Sequence, residues 1–312
     1  MGLFDSLKAK FNSASNNGTK AAKADGKVNL KANARINVEL RFDRMRTSAT
    51  GTMSNFFVAT DRVHKRTVGV KLLDVEKMEQ FEARFKGLKK PSEGEIALGM
   101  KHPNVVETYE AGLTSKGQPI LVMEYVEGPS LQHVIVNRQE ANLKGKRMGL
   151  IRQMAEAIRY VHSRGFIHRD ICPRNFICFP DFSGLKLIDF GLTVPATRHF
   201  MAPGNRTGTP LYMSPEIVRR RSTDFRVDIF SFGITCYCLC CFEHPWQGDV
   251  VNGKAALHHD TSPPKDLLDR CPEVEPRLAR AIMGALQPNV DKRTASMDQF
   301  LQAIKSLEGI DY

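Results

Sequence analysis

From Val38 to Leu73 the chain runs in short stretches of alternating and β-branched residues, a pattern that predicts a twisted antiparallel sheet. Val75, Met78, Phe81 and Phe85 then fall at helical spacing in a charged stretch, and Ser92 followed by Glu95 marks a capped helix start. Ile120-Leu121-Val122-Met123-Glu124-Tyr125-Val126-Glu127-Gly128 reads as a further strand, buried and ended by a glycine turn. Beyond Leu131 the period changes. Leu150, Ile151, Met154, Ala157, Ile158 and Val161 share one helical face, and Ile229 to Phe242 is apolar enough for a fully buried helix. Phe300, Leu301, Ile304 and Leu307 fit a last amphipathic helix, while Leu185-Lys186-Leu187-Ile188 reads as a short strand. The pattern is that of an α+β protein whose first part is sheet and whose second part is mainly helix.

Composition narrows this. With 312 residues, 42% hydrophobic and 25% charged, the chain can build two lobes with their own cores. Seven cysteines without a secretory signal predict a reducing, cytoplasmic setting and no disulfides. Cys236, Cys238, Cys240 and Cys241 are not spaced to gather on one side of a helix, so they are expected to be buried apolar residues rather than metal ligands. The net charge of +11 suggests acidic partners, a membrane surface or nucleic acid, but no motif that reads RNA or DNA accompanies it, so nucleic acid is not expected.

Residues 1–37 are set apart as a polar segment, expected to be disordered because they offer little apolar surface to bury. Within them, Leu3, Phe4, Leu7 and Phe11 cluster on one side of a helical wheel, predicting a short amphipathic helix at 2–11. It could dock on protein or lie peripherally on a membrane surface. Met1-Gly2 followed by Ser6 also fits a myristoylation pattern.

Candidate chemistry centres on Gly165-Phe166-Ile167-His168-Arg169-Asp170-Ile171-Cys172-Pro173-Arg174-Asn175, which sets an amide five positions after an acid. Asp189-Phe190-Gly191 follows the strand at 185–188. One carboxylate placed to accept a proton, with an amide and a second carboxylate to hold a metal, is the equipment of phosphoryl transfer. These stretches resemble the catalytic loop H-R-D-L-x-x-x-N and the D-F-G motif of the eukaryotic-type protein kinase superfamily, in its serine/threonine branch.

The resemblance covers roughly residues 42 to 308. It implies a two-lobe fold for residues 38–312: a small antiparallel lobe (about 38–124) carrying one key helix, and a larger helical lobe (about 128–308). It implies Asp170 as the base that accepts the substrate hydroxyl proton, and Asn175 and Asp189 as ligands of Mg²⁺. Val68-Gly69-Val70-Lys71 resembles the V-A-I-K strand, so Lys71 would hold the ATP phosphates, aligned by Glu93, with Glu95 as the alternative. Ala49-Thr50-Gly51-Thr52-Met53-Ser54-Asn55 takes the place of the glycine-rich loop, keeping only Gly51, with Ser54 as a small residue near the phosphates. Phe56 stands where the family usually has a valine above the adenine. Met123 would border the adenine pocket, and backbone groups of Glu124 and Val126 would bond the base.

Asp189 to Glu216 resembles the activation segment, closing in Ser214-Pro215-Glu216. Thr209 occupies the threonine position of serine/threonine kinases, and Glu216 is expected to pair with Arg293. Asp228 would brace the catalytic loop. Arg169 could receive a phosphate carried by the segment, with Thr207 as its expected site and Thr197 and Thr193 as alternatives. Cys172 replaces the lysine usual two residues after the base, and Arg174 could supply the missing charge. The expected function is transfer of the ATP γ-phosphate to Ser/Thr of protein substrates. A pseudokinase that binds partners and a small-molecule kinase of related fold are the alternatives.

Overall fold

A computed structural model describes residues 35–50, 54–85, 87–204, 206–246, 254–259 and 261–307. The helix expected at 2–11 and Gly51 lie outside them. Strands β1 (Phe42–Thr50), β2 (Ser54–Asp61), β3 (Arg66–Leu73), β4 (Thr108–Leu113) and β5 (Pro119–Glu124) form an antiparallel sheet in the order β1-β2-β3-β5-β4. Register decides what each face carries, because directly opposed residues share a face and neighbours along a strand alternate. Phe56 opposes Lys71, Val58 opposes Gly69, and Gly69 opposes Met123. Phe56, Gly69, Lys71 and Met123 therefore share one side. The other side packs Phe57, Ala59, Val68, Val70, Ile120 and Val122 with Phe42 and Ile36.

Ile36 is buried, and its backbone bonds Leu113 and Ser115. The folded body thus takes in residues before the expected boundary at 38, since this side chain fills the small core and its main chain partners β4.

Between β3 and β4 lie helix Val75–Glu82, the turn Ala83–Phe85 and helix Glu93–Leu98. The last begins in a reciprocal cap: Ser92 Oγ accepts from Glu95 N at 3.2 Å, and Glu95 Oε2 accepts from Ser92 N at 2.7 Å. This cap makes Glu93 the first helical residue and fixes the direction in which its side chain leaves the backbone.

Past Glu124 the chain is mainly helical, built around helices Arg147–Ser163, Arg226–Cys241, Pro276–Ala285 and Met297–Ala303. Helix Arg226–Cys241 is buried almost throughout, and Cys236 and Cys238 pack inside it as free thiols beside the buried Cys240. Burial raises the pKa of Cys236 and Cys238 and keeps these thiols neutral and apolar in character. Among the described residues no group of three or more His, Cys, Asp or Glu could hold a metal, and no helix is long and apolar enough to cross a membrane.

A second apolar cluster joins the two parts. Phe81 of helix Val75–Glu82 and Phe85 of the turn after it pack with Phe200, Met213 and Ile217 of the segment that follows Asp189. The Phe85 and Phe200 rings are 5.3 Å apart and Phe81 meets Phe85 edge-on at 5.4 Å.

Candidate active site

Three charged side chains from distant parts of the chain meet at one point. Lys71 Nζ donates to Glu93 Oε1 at 2.6 Å and to Asp189 Oδ1 at 2.9 Å. Burial opposes charge on Lys71, but the Asp189 and Glu93 carboxylates outweigh it and hold the ammonium above the ordinary lysine value. Asp189 answers this from the other side: burial would raise it, and Lys71 with the Gly191 N–H keeps it below the usual carboxylate range. The cation is thus charged and pinned before any anion arrives.

The loop from His168 to Asn175 is bent around Asp228, whose Oδ2 and Oδ1 accept from the backbone N–H of His168 and Arg169, each at 2.8 Å. Asp228 also bonds His162 Nε2 at 2.9 Å. Arg169 and Asp189 both adopt left-handed backbone, with φ of 66° and 68°. For residues with a Cβ this conformation costs about 1–2 kcal/mol each. The backbone bonds to Asp228 and the Lys71 and Gly191 bonds to Asp189 hold these conformations in place.

Asp170 is fixed at both oxygens. Oδ1 accepts from Thr209 N at 2.9 Å and Thr209 Oγ1 at 2.7 Å; Oδ2 accepts from Asn175 Nδ2 at 3.0 Å. Asn175 Nδ2 also donates to Asp170 O at 2.7 Å, and among the described residues nothing donates to its amide oxygen. Gly208, just before Thr209, has φ of 126°, and a Cβ there would sit 2.7 Å from Arg169 O, so only glycine lets the segment pass so close to the loop.

Cys172 is fully buried, its thiol pushed up to about 11 by burial and by Asp170, so it brings no charge to the site. Its Sγ lies 3.7 Å from Thr209 Oγ1. Arg174 reaches the same hydroxyl, with Nη2 3.0 Å from Thr209 Oγ1. A cation therefore stands next to the base although the usual lysine is missing.

Arg169 is buried and donates Nη2 to Phe200 O at 2.7 Å and Thr223 Oγ1 at 3.0 Å. Burial without a bonded carboxylate lowers its pKa to about 10. Thr207 is only 5% exposed and its hydroxyl has no hydrogen-bond partner among the described residues. Glu216 grips Arg293 with two parallel bonds of 2.7 and 2.8 Å. Arg293 also donates to the carbonyls of Gln287, Arg226 and Pro288, and its guanidinium lies over the Phe230 ring at 4.9 Å.

On the sheet side, the Phe56 ring lies over Gly69: a Cβ on Gly69 would come within 2.8 Å of Phe56 Cε2 and 3.2 Å of Met123 Cγ. Phe56, a departure from the family pattern, and Gly69 are thus spatial complements. Ser54 is buried at the start of β2. Glu124 N is spent on Glu107 O, while neither backbone group of Val126 makes a hydrogen bond among the described residues.

Sequence reasoning did not single out His162 or Thr223, the partners of Asp228 and Arg169. They lie 66 and 54 positions from those partners, and linear spacing carries no signal for such contacts.

The chain matches the protein kinase domain family model over residues 42–304. It is 31% identical to serine/threonine-protein kinase pkn3 of Myxococcus xanthus, over 74% of this chain and 43% of that protein. It is 32% identical to serine/threonine-protein kinase PknB of Mycolicibacterium smegmatis, over 78% and 39% respectively. It is 31% identical to serine/threonine-protein kinase PAK mbt of Drosophila melanogaster, over 76% and 35%. The chain spans between a third and a half of the length of these relatives. With the ordered site and the family match together, the chain belongs to the protein kinase family.

Proposed function

We propose that this protein transfers the γ-phosphate of ATP to serine or threonine hydroxyls of protein substrates. The observation that carries the reading is the doubly held Asp170 carboxylate beside the assembled Lys71, Glu93 and Asp189 set. Lys71 binds phosphate oxygens and Glu93 keeps its ammonium in place. Asp170 accepts the proton of the attacking hydroxyl, with Thr209 and Asn175 holding its orientation. Thr209, which touches the base itself, favours an aliphatic over a phenolic acceptor. Arg174 takes the role of the missing lysine and stabilises charge on the phosphoryl oxygens in flight.

The amide oxygen of Asn175 and the Asp189 carboxylate, whose side chain is 41% exposed, form a hard oxygen donor set that fits Mg²⁺ shared with phosphates. Mg²⁺, when bound, neutralises charge on the β- and γ-phosphates. Phe56, Gly69, Met123 and the backbone at Glu124 and Val126 would contact the base of ATP, and Gly51 and Ser54 its phosphates. An assembled Lys71–Glu93 pair speaks against a chain that only scaffolds partners.

Labelled γ-phosphate from Mg-ATP should appear on serine or threonine of this protein or of a generic substrate, and Asp170→Asn should abolish it. Absence of label from the folded wild-type protein refutes the reading. Thr207 is proposed as the acceptor of a regulatory phosphate held by Arg169. Its buried hydroxyl means the segment must open first, and unchanged loop phosphorylation and activity in Thr207→Ala would remove the idea. A cytoplasmic protein touching membranes through residues 2–11 is part of the same proposal; failure of liposomes to retain residues 1–45 fused to a reporter would remove that part.

A further inference from the structure

Arginines from several parts of the chain gather around the segment that touches Asp170. Arg84, from the turn Ala83–Phe85, donates Nη1 to Arg206 O at 3.3 Å. Gly204 N donates to Arg220 O at 3.0 Å, and Arg174 reaches Thr209 Oγ1. These bonds bring positions 84, 174, 204, 206, 209 and 220 to one region, beginning at the base. Arg84, Arg174, Arg206, Arg220 and Arg221 are all exposed. Among the described residues none of the five has a carboxylate within ion-pair distance. From Gly191 to Thr223 the only acid is Glu216, which is buried and engaged with Arg293.

Several arginines elsewhere on the molecule are paired with acids. Arg41 pairs with Asp61 and Glu110, Arg62 with Asp43, Arg159 with Glu156 and Asp298, and Arg226 with Asp224 and Asp291. Clustered like charges without internal counter-ions repel one another and create a strong local positive potential. That potential surrounds the place where an acceptor hydroxyl must arrive.

We propose that the substrate is an acidic peptide, with aspartate or glutamate flanking the acceptor serine or threonine. The proposal rests on the kinase reading and names the substrate class of that site. In an extended peptide, residues two to four places from the acceptor lie about 7–14 Å away. Arg174 meets the nearest flank, and Arg206, Arg220 and Arg221 meet flanks further out. A lipid surface pressed on the same patch would cover Asp170, so the geometry favours a peptide.

The test uses the full chain and three peptides with one serine core and acidic, neutral or basic flanks. The acidic peptide should have the highest kcat/KM, through a lower KM, and its advantage should shrink as salt is raised. In Arg206→Glu/Arg221→Glu the acidic-over-neutral ratio should fall about tenfold, as two weak attractions become repulsions. Anisotropy of the labelled acidic peptide, read without Mg-ATP, should show the same loss and does not depend on turnover. Peptide binding without phosphate transfer would leave this inference standing and bring down the kinase reading. Equal binding of all three peptides at low salt, or a ratio untouched by charge reversal, overturns the inference. So does retention of the protein on anionic vesicles with no acidic-peptide binding.

Discussion

Gly69→Ala tests whether Phe56 and Gly69 are a matched pair. The new methyl would stand 2.8 Å from Phe56 Cε2 and 2.9 Å from Cζ, inside contact distance, with Met123 Cγ at 3.2 Å on another side. Overpacking of this kind costs about 1–3 kcal/mol. Against it stands the benefit of alanine over glycine in a strand, about 0.5–1 kcal/mol where no clash occurs. In the wild-type background Gly69→Ala should therefore destabilise. In a Phe56→Val background the obstructing ring is gone and the same change should be neutral or stabilising. The resulting coupling is about 2 kcal/mol, large for two neighbouring residues but within the range of contacting pairs. Thermal unfolding of the four proteins reads it, at roughly 2–4 °C per kcal/mol for a domain somewhat smaller than this one. ATP titration of the same set reports whether the mismatch reaches the nucleotide site. If Gly69→Ala lowers Tm equally in both backgrounds, the ring and the glycine are independent and the reasoning fails.

Glu216→Leu should cost about 3–5 kcal/mol by leaving the buried Arg293 guanidinium without its counter-ion, whereas Glu216→Leu with Arg293→Met should cost less; denaturant titration compares them. Arg174→Ala should lower kcat about 10²-fold with little change in the KM for ATP, and adding Cys172→Lys should restore part of the loss; steady-state kinetics separates the two parameters. Asp61, Asp189 and Asp228 are held below the ordinary carboxylate range against the cost of their burial, Asp61 by Arg41 and His64, Asp189 by Lys71, and Asp228 by His162. The unfolded chain therefore binds more protons than the folded one as pH falls, so their stabilisation is full above about pH 4 and is lost below it. Tm should be flat with respect to these groups near neutrality and fall at acid pH, less steeply in Asp61→Asn.

How far the sequence could be read depended on the range of the interaction that shapes each element. The strands between Val38 and Leu73 and the capped start at Ser92 follow from local pattern, and the structure has β1, β2, β3 and helix Glu93–Leu98 there. Helix Arg226–Cys241 is likewise written in its own composition. The Lys71, Glu93 and Asp189 meeting was reached only through motif resemblance, because their separations of 22 and 118 positions contain no periodic signal. Phe56 illustrates the limit most clearly. Alone it reads as a departure from the family, and its fit becomes visible only when the register of β2 on β3 sets it diagonal to Gly69. Arg169 is similar: its neighbours in sequence say nothing of Phe200 O and Thr223 Oγ1, which occupy its guanidinium.

The contact of Phe85 with Phe200 makes the sheet side and the segment that touches Asp170 mechanically dependent on one another. The helix and turn at 75–85, which precede the separate helix opening at Glu93, rest on the segment that carries Thr209 to Asp170. A hinge motion that lifts the sheet away from the helices must either drag that segment along or part the rings. Parting them wets apolar surface at about 25 cal/mol per Å². Under the proposed function, loosening of the nucleotide cleft and of the segment beside Asp170 would then be two readings of one displacement, set by an aromatic contact that touches neither site.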